Sequence, residues 1–264
     1  MTELRACPVC EAAEVKPLPN YSPSPWQVAE CSACGFVYLR NPPGYSALVQ
    51  DFAWETTSAD LNLVRQERSP KLRSTSRSVM KWSKKFRQDH NERFARMFGA
   101  GKVLDIGCGR GHRLKAPIIP YGIELSRNLH EQADAIMRSL GGYCLHAPGA
   151  EGIWQFEEDF FDGILMHSYL EHEEAVMPAL LGAHHALKPT GKIFVRVPNF
   201  ASLNRRLIGP NWCGFRYPDH VNYFTLQSLR AIAAKAGFDT RLVNRFSLMI
   251  NDNIHAMMTK SPAI

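Results

Sequence analysis

The chain has 264 residues, 45% of them hydrophobic, and carries a formal charge of +6. That length suits one medium-sized α/β domain with a small appendage, or two small domains. No apolar run is long enough to cross a bilayer and the first residues lack the apolar stretch of a secretory signal, so a cytoplasmic protein without a membrane partner is expected.

Residues 1–44 read as a small unit of their own. Cys7-Pro8-Val9-Cys10 and Cys31-Ser32-Ala33-Cys34 stand twenty residues apart. Two such pairs can close a tetrahedral thiolate site, so Cys7, Cys10, Cys31 and Cys34 are expected to hold a structural Zn2+ with no position open to substrate. A unit this short buries little core, and metal binding can supply the missing folding energy. The Pro- and Ser-rich stretch Lys16–Trp26 is not expected to be helical.

Residues 45–98 read as a linker and a helical cap. Between Arg65 and Arg96 stand 11 Lys/Arg against 3 Asp/Glu, and the remaining 20 basic and 22 acidic residues nearly cancel. The basic character therefore belongs to one segment, which is either a solvated helix face or a surface for an anionic substrate or nucleic acid. Phe86, His90, Phe94 and Met97/Phe98 recur at helical spacing, predicting an amphipathic helix from about Val79 to Phe98 that Gly99 and Gly101 stop.

From residue 99 to 264, strands and helices alternate. Strands are expected at Lys102–Ile106, Tyr121–Leu125, Tyr143–Ala147, Phe161–His167 and Lys192–Val197. Helices are expected from the Ser126 cap to about Leu140, over Glu173–Leu187, and from the Thr225 cap to near Gly237. Lys188-Pro189-Thr190-Gly191 reads as a turn. Only Gly111–Pro120 joins the first two strands, so any helix there must be very short, and Pro117 and Pro120 limit it further. Arg241–Ser247 and His255–Lys260 suggest an antiparallel hairpin at one edge. The fold class is therefore α/β, a mostly parallel Rossmann-like sheet.

Ligands of such sheets bind beyond the carboxyl ends of the strands. Asp105-x-Gly107-x-Gly109-x-Gly111 lies at the end of the first strand, and Glu124 at the end of the second, nineteen residues on. Glycines let the backbone approach a ligand, and Glu124 can accept hydrogen bonds from ribose hydroxyls. A dinucleotide site also has glycines and a ribose acid, but its pyrophosphate would gain nothing from the Asp105 carboxylate.

With Tyr121–Ser126, Phe161–His172 and Leu187–Lys192 added, residues from about 100 to 260 resemble the class I S-adenosylmethionine-dependent methyltransferases. The resemblance implies S-adenosyl-L-methionine as cofactor. Asp105, Gly107 and Gly109 would contact its amino acid part, with Cys108 and Gly111 in the same turn. Glu124, beside Leu125, would hold the ribose, and His167 would lie beside the donor. The family often has an acid against adenine after the third strand. Ala150 occupies the expected position here, and the adjacent Glu151 is the candidate. A zinc ribbon before this domain resembles some bacterial sugar C-methyltransferases, whose further C-terminal domain this chain lacks.

The acceptor is expected at the long connection Asn199–Phe224, rich in aromatic and charged residues. Its Pro218-Asp219-His220-x-x-Tyr223 resembles a Glu-His loop of the sugar enzymes. His220 is the candidate general base, oriented by Asp219, with Tyr217 or Tyr223 binding the acceptor; a histidine that pins the loop is the alternative. His172 is a second candidate, and His184-His185 read as packing or surface residues. The expected activity is methyl transfer to a small-molecule acceptor such as a sugar or secondary metabolite. Two alternatives remain: a nucleic-acid methyltransferase gripping phosphates with the zinc unit and the basic segment, and a non-catalytic binding module. His167-Ser168-Tyr169-Leu170 stands where base-modifying DNA enzymes carry Asn/Asp-Pro-Pro-Tyr, which disfavours amino methylation of a base.

Overall fold

The computed structural model describes residues 4–44 and 90–262. The N-terminal unit holds three short antiparallel strands, β1 (Val15–Pro17), β2 (Val28–Cys31) and β3 (Val37–Leu39). The stretch between β1 and β2 contains only a 3-10 turn at Pro19–Tyr21, in keeping with its prolines. Helix α1 (His90–Phe98) is the described part of the expected cap helix; Val79–Asp89 and most of the basic segment lie outside the described residues.

The large sheet begins with β4 (Gly101–Ile106) and β5 (Ile118–Glu124). Helix α2 (Arg127–Ser139), capped by the Ser126 side chain, leads to β6 (Cys144–His146), the short α3 (Gly149–Gly152) and β7 (Phe161–His167). Then come α4 (Val176–Ala186), β8 (Leu187–Pro198), α5 (Leu203–Ile208) and a two-residue strand β9 (Asn222–Tyr223). Helix α6 (Leu226–Lys235), with a Thr225–Ser228 capping box, precedes β10 (Phe238–Leu242) and β11 (Asn253–Lys260).

The seven strands lie in the order β6-β5-β4-β7-β8-β11-β10, parallel from β6 to β8 and antiparallel at β11 and β10. Alternation along the strands builds two cores. Leu104, Ile164, Met166, Val195 and Met258 face one, with α4 and α6; Val103, Leu165, Phe194 and Met257 face the other, against Phe94 of α1.

Local readings needed correction in several places. Among the described residues no helix joins β4 to β5; turns fill that space, because two prolines and few residues leave no room for one. Lys188–Gly191 falls inside β8 as a register break, where Phe161 faces Leu187 but Gly163 faces Lys192. Helix α4 starts at Val176, since the residues before it form a tight turn. The last hairpin pairs Phe238 with Lys260, and Arg245–Ser247 is a 3-10 turn. Strand β11 lies between β8 and β10, so the hairpin is sewn into the sheet on one side.

Strand β9 has a different partner. It pairs antiparallel with β3, Val37 opposite Tyr223 and Tyr38 opposite Asn222, so the connection after β8 completes the N-terminal sheet. Val28, Val37, Leu39, Phe200, Trp212, Phe215 and Tyr223 share one buried cluster across that seam.

Candidate active site

The glycine turn leaves β4 with three left-handed residues, Gly107, Gly109 and Gly111. At Gly111 (φ 74°) a Cβ would also stand 3.0 Å from the Cα of Ala133 in α2, so glycine is needed there for space as well as for conformation. Glu124 ends β5 with both carboxylate oxygens engaged. Its Oε2 accepts from the Gly109 amide (2.8 Å) and its Oε1 from the Ser126 amide (2.9 Å). The acid expected for a ribose thus also ties the glycine turn to the start of α2. Each oxygen has further lone pairs for hydroxyls.

Asp105 is wholly buried under the turn. Arg113 answers it: its Nη1 lies 3.1 Å from Asp105 Oδ2 and 3.1 Å from the Gly107 carbonyl oxygen. Burial still pushes the Asp105 carboxyl up to about 6, against the pull of Arg113. Arg113 was missed from the sequence; a basic side chain in the span that closes the glycine turn was the only signal.

A cavity of about 820 Å³ opens over the turn. One end is lined by Gly107, Gly109, Glu124, Leu125 and Ser126, and the middle by Ala147, Pro148 and Gly149. The other end is lined by Glu171, His172, Arg216, Asp219, His220 and Asp252.

Several expected residues do not line it. The Cys108 side chain turns away into a buried cluster with Ala133, Met137 and Cys144, its Sγ 3.6 Å from that of Cys144. Glu151 is exposed on α3 and Ala147–Gly149 line the cavity instead, because that helix presents its acid to the surface. His167 has the parity of Leu165 and so falls on the α1 face, its ring centroid 6.4 Å from that of Phe94; Ser168 takes the cavity position. Tyr223 is buried in the aromatic cluster, 5.3 Å between ring centroids from Phe215, because β9 is paired with β3. Tyr217 donates its hydroxyl to the Tyr21 carbonyl. His184 packs on Phe238 and His185 stacks on Trp154, as packing residues would.

The Asp219 carboxylate pairs with Arg216 (Oδ2 to Nη2, 3.1 Å), while its carbonyl accepts from His172 Nδ1 at 2.8 Å. His220 Nδ1 donates to the Gly214 carbonyl, also at 2.8 Å. Carbonyls only accept, so each ring carries a proton on Nδ1. The two rings meet edge to face with centroids 4.7 Å apart. Burial and the nearby Arg216 push His172 down to about 4.

Glu171 joins them, 1% exposed, with Oε2 lacking a hydrogen-bond partner. Burial pushes it up to about 7, against Arg196 and Arg216. Strand β9 sets its position: Val221 and Asn222 amides donate to the Glu171 carbonyl (2.8 and 3.2 Å), and Asn222 Nδ2 bonds the Leu170 (2.8 Å) and Glu173 (2.6 Å) carbonyls. Arg5 of the N-terminal unit donates to Leu39 and Val221 carbonyls across the same seam.

The four N-terminal cysteines come together, with Sγ separations of 3.5–3.6 Å for Cys7–Cys34, Cys10–Cys31 and Cys10–Cys34. Tetrahedral thiolates at zinc-like bond lengths would stand about 3.8 Å apart, so the set fits such an ion. Both pairs close the same turn: the Glu11 amide donates to the Cys7 carbonyl and the Gly35 amide to that of Cys31, with φ positive at each.

A family model described as a methyltransferase domain matches residues 76–243. The chain belongs to that family. It is an S-adenosylmethionine-dependent methyltransferase, as expected, on the expected α/β fold. No curated protein matches the methyltransferase. Among solved structures it is similar to an S-adenosylmethionine-dependent methyltransferase of Archaeoglobus fulgidus, 16% identical, over 69% of this chain and 99% of that one, with a TM-score of 0.51. One from Thermotoga maritima is 19% identical over 66% and 88%, with a TM-score of 0.50. Both likenesses are of fold. Among the described residues no helix is long and apolar enough to cross a membrane.

Proposed function

We propose that this methyltransferase moves the methyl group of S-adenosylmethionine to a small-molecule acceptor bound at the Glu171–His172–His220 end of the cavity. The observation that carries this reading is continuity. One cavity of about 820 Å³ joins the glycine turn and Glu124 to those three residues. That is near the upper end for small-molecule sites, with space for the donor and a modest second ligand. Methyl transfer is a displacement at the sulfonium carbon, so the protein's work is alignment of the acceptor and management of its proton. His220, the base candidate, acts here within a cluster of three, because Asp219 is engaged with Arg216. Gly107, Gly109 and Glu124 hold the donor, Asp105 acts through Arg113 to shape the turn, and Ala147–Gly149 flank the adenine.

In the same reading Cys7, Cys10, Cys31 and Cys34 hold a structural Zn2+. Its place is the support of β3, and through β9 of the turn that carries Glu171.

Calorimetry with S-adenosylhomocysteine, followed by product release assayed against small polyhydroxy acceptors and against RNA, tests the proposal. Donor-product binding with turnover of a small acceptor supports it. No binding, or turnover on RNA alone, sinks it.

A further inference from the structure

We infer that Glu171, His172 and His220 form a second metal site, which takes one divalent cation at the acceptor end of the cavity. The inference rests on the reading that this end receives the acceptor. One ligand atom from each of the three side chains lies within 4.8 Å of the other two. Both histidines are fixed as metal-binding histidines usually are. Each donates Nδ1–H to a backbone carbonyl at 2.8 Å, which sets the tautomer and places the lone pair on Nε2. The third group is a carboxylate, 1% exposed, whose Oε2 has no hydrogen-bond partner, a costly arrangement unless something binds there.

Two imidazoles and one carboxylate leave coordination positions open, unlike the closed four-cysteine set. The open positions face a cavity, so they would take oxygen atoms of the acceptor. The acceptor class that follows is one with two neighbouring oxygen donors, such as a vicinal diol or a hydroxy acid. His220 then serves as a ligand and positions the acceptor through the ion.

The site is supported by the backbone of two separate segments. His172 is held by the Asp219 carbonyl, His220 by Gly214, and the Glu171 backbone by β9. A cluster so braced needs little reorganisation to bind an ion.

The test uses the full chain with its cysteine-bound metal in place, titrated with Mn2+ while free Mn2+ is followed by electron paramagnetic resonance. Mn2+ is a poor match for thiolates, so the four-cysteine site stays silent. The wild type should take up one Mn2+ per chain. His220→Gln and Glu171→Gln should each weaken uptake at least tenfold, while affinity for S-adenosylhomocysteine, read by calorimetry, changes less than about twofold. The inference is overturned if the wild type binds S-adenosylhomocysteine but no Mn2+, or if neither substitution alters uptake. Loss of S-adenosylhomocysteine binding by the wild type would instead count against the proposed function.

Discussion

Arg113 clamps Asp105 and the glycine turn together: one guanidinium nitrogen lies 3.1 Å from the Asp105 carboxylate and 3.1 Å from the Gly107 carbonyl. The pair joins a wholly buried anion to the backbone of the turn proposed to receive the donor. Replacing Arg113 by Met removes the cation and leaves the anion buried. Since Arg113 is one-third exposed, water screens part of the loss, and about 2 kcal/mol of stability should go. Donor affinity should fall at least tenfold with it. Denaturant melts and calorimetry on the variant check both.

The same buried carboxyl gives the protein a pH signature. Asp105 titrates near 6 in the folded chain and near its ordinary 3.8 when unfolded. Between those values the folded state holds the extra proton, so this group's contribution to stability falls as pH rises from about 4 to 6 and is level above. The fall is about 3 kcal/mol. Asp105→Asn should flatten that part of the stability–pH curve and weaken donor binding. A curve unchanged by the substitution would assign the slope to another group.

Removal of the metal proposed at Cys7, Cys10, Cys31 and Cys34 should be felt at a distance. A chelator, or Cys10→Ser, should lower the melting temperature and reduce turnover more than it reduces donor affinity. The reason is that β3 supports β9, and β9 supports Glu171, whereas the glycine turn is held by β4, β5 and Arg113. Parallel thermal melts, calorimetry and initial rates separate the effects. Equal loss of donor affinity and turnover would contradict this route.

Tyr223 offers a contrasting case. Its ring is packed among Phe200, Phe215 and Trp212 and does not line the cavity. Tyr223→Phe should keep kcat within about twofold, because the packing shape is preserved. Tyr223→Ala should cost about 3 kcal/mol of stability. A severe loss of kcat in the Phe variant would restore the tyrosine as a reacting group.

The large sheet was legible because its signals are local. Val103–Ile106, Phe161–His167 and the Ser126 cap declare themselves by alternation and capping within a few residues. The four cysteines were legible for a similar reason, since each pair needs only one turn. Gly107, Gly109 and Glu124 were legible as cavity-lining residues from their place at strand ends. What stayed hidden depends on pairing across the chain. Tyr223 read as an acceptor residue because nothing near it shows that its neighbours join Val37 and Tyr38. Asp219 read as the partner of His220 by adjacency, but adjacent side chains diverge, and Arg216 was three residues back. Glu171 was visible in the motif but had no role, since only its burial beside His172 and His220 supplies one.

The seam between β3 and β9 has a bearing on how this enzyme could be altered. The 199–224 loop cannot be exchanged as a loose insert. Transplanted alone, residues 199–224 would bring an unpaired strand edge and the exposed faces of Phe200, Trp212 and Phe215, which here are covered by Val28, Val37 and Leu39. The loop and residues 5–41 form one packing unit for engineering. A transplant of the loop by recombination would have to carry both segments together.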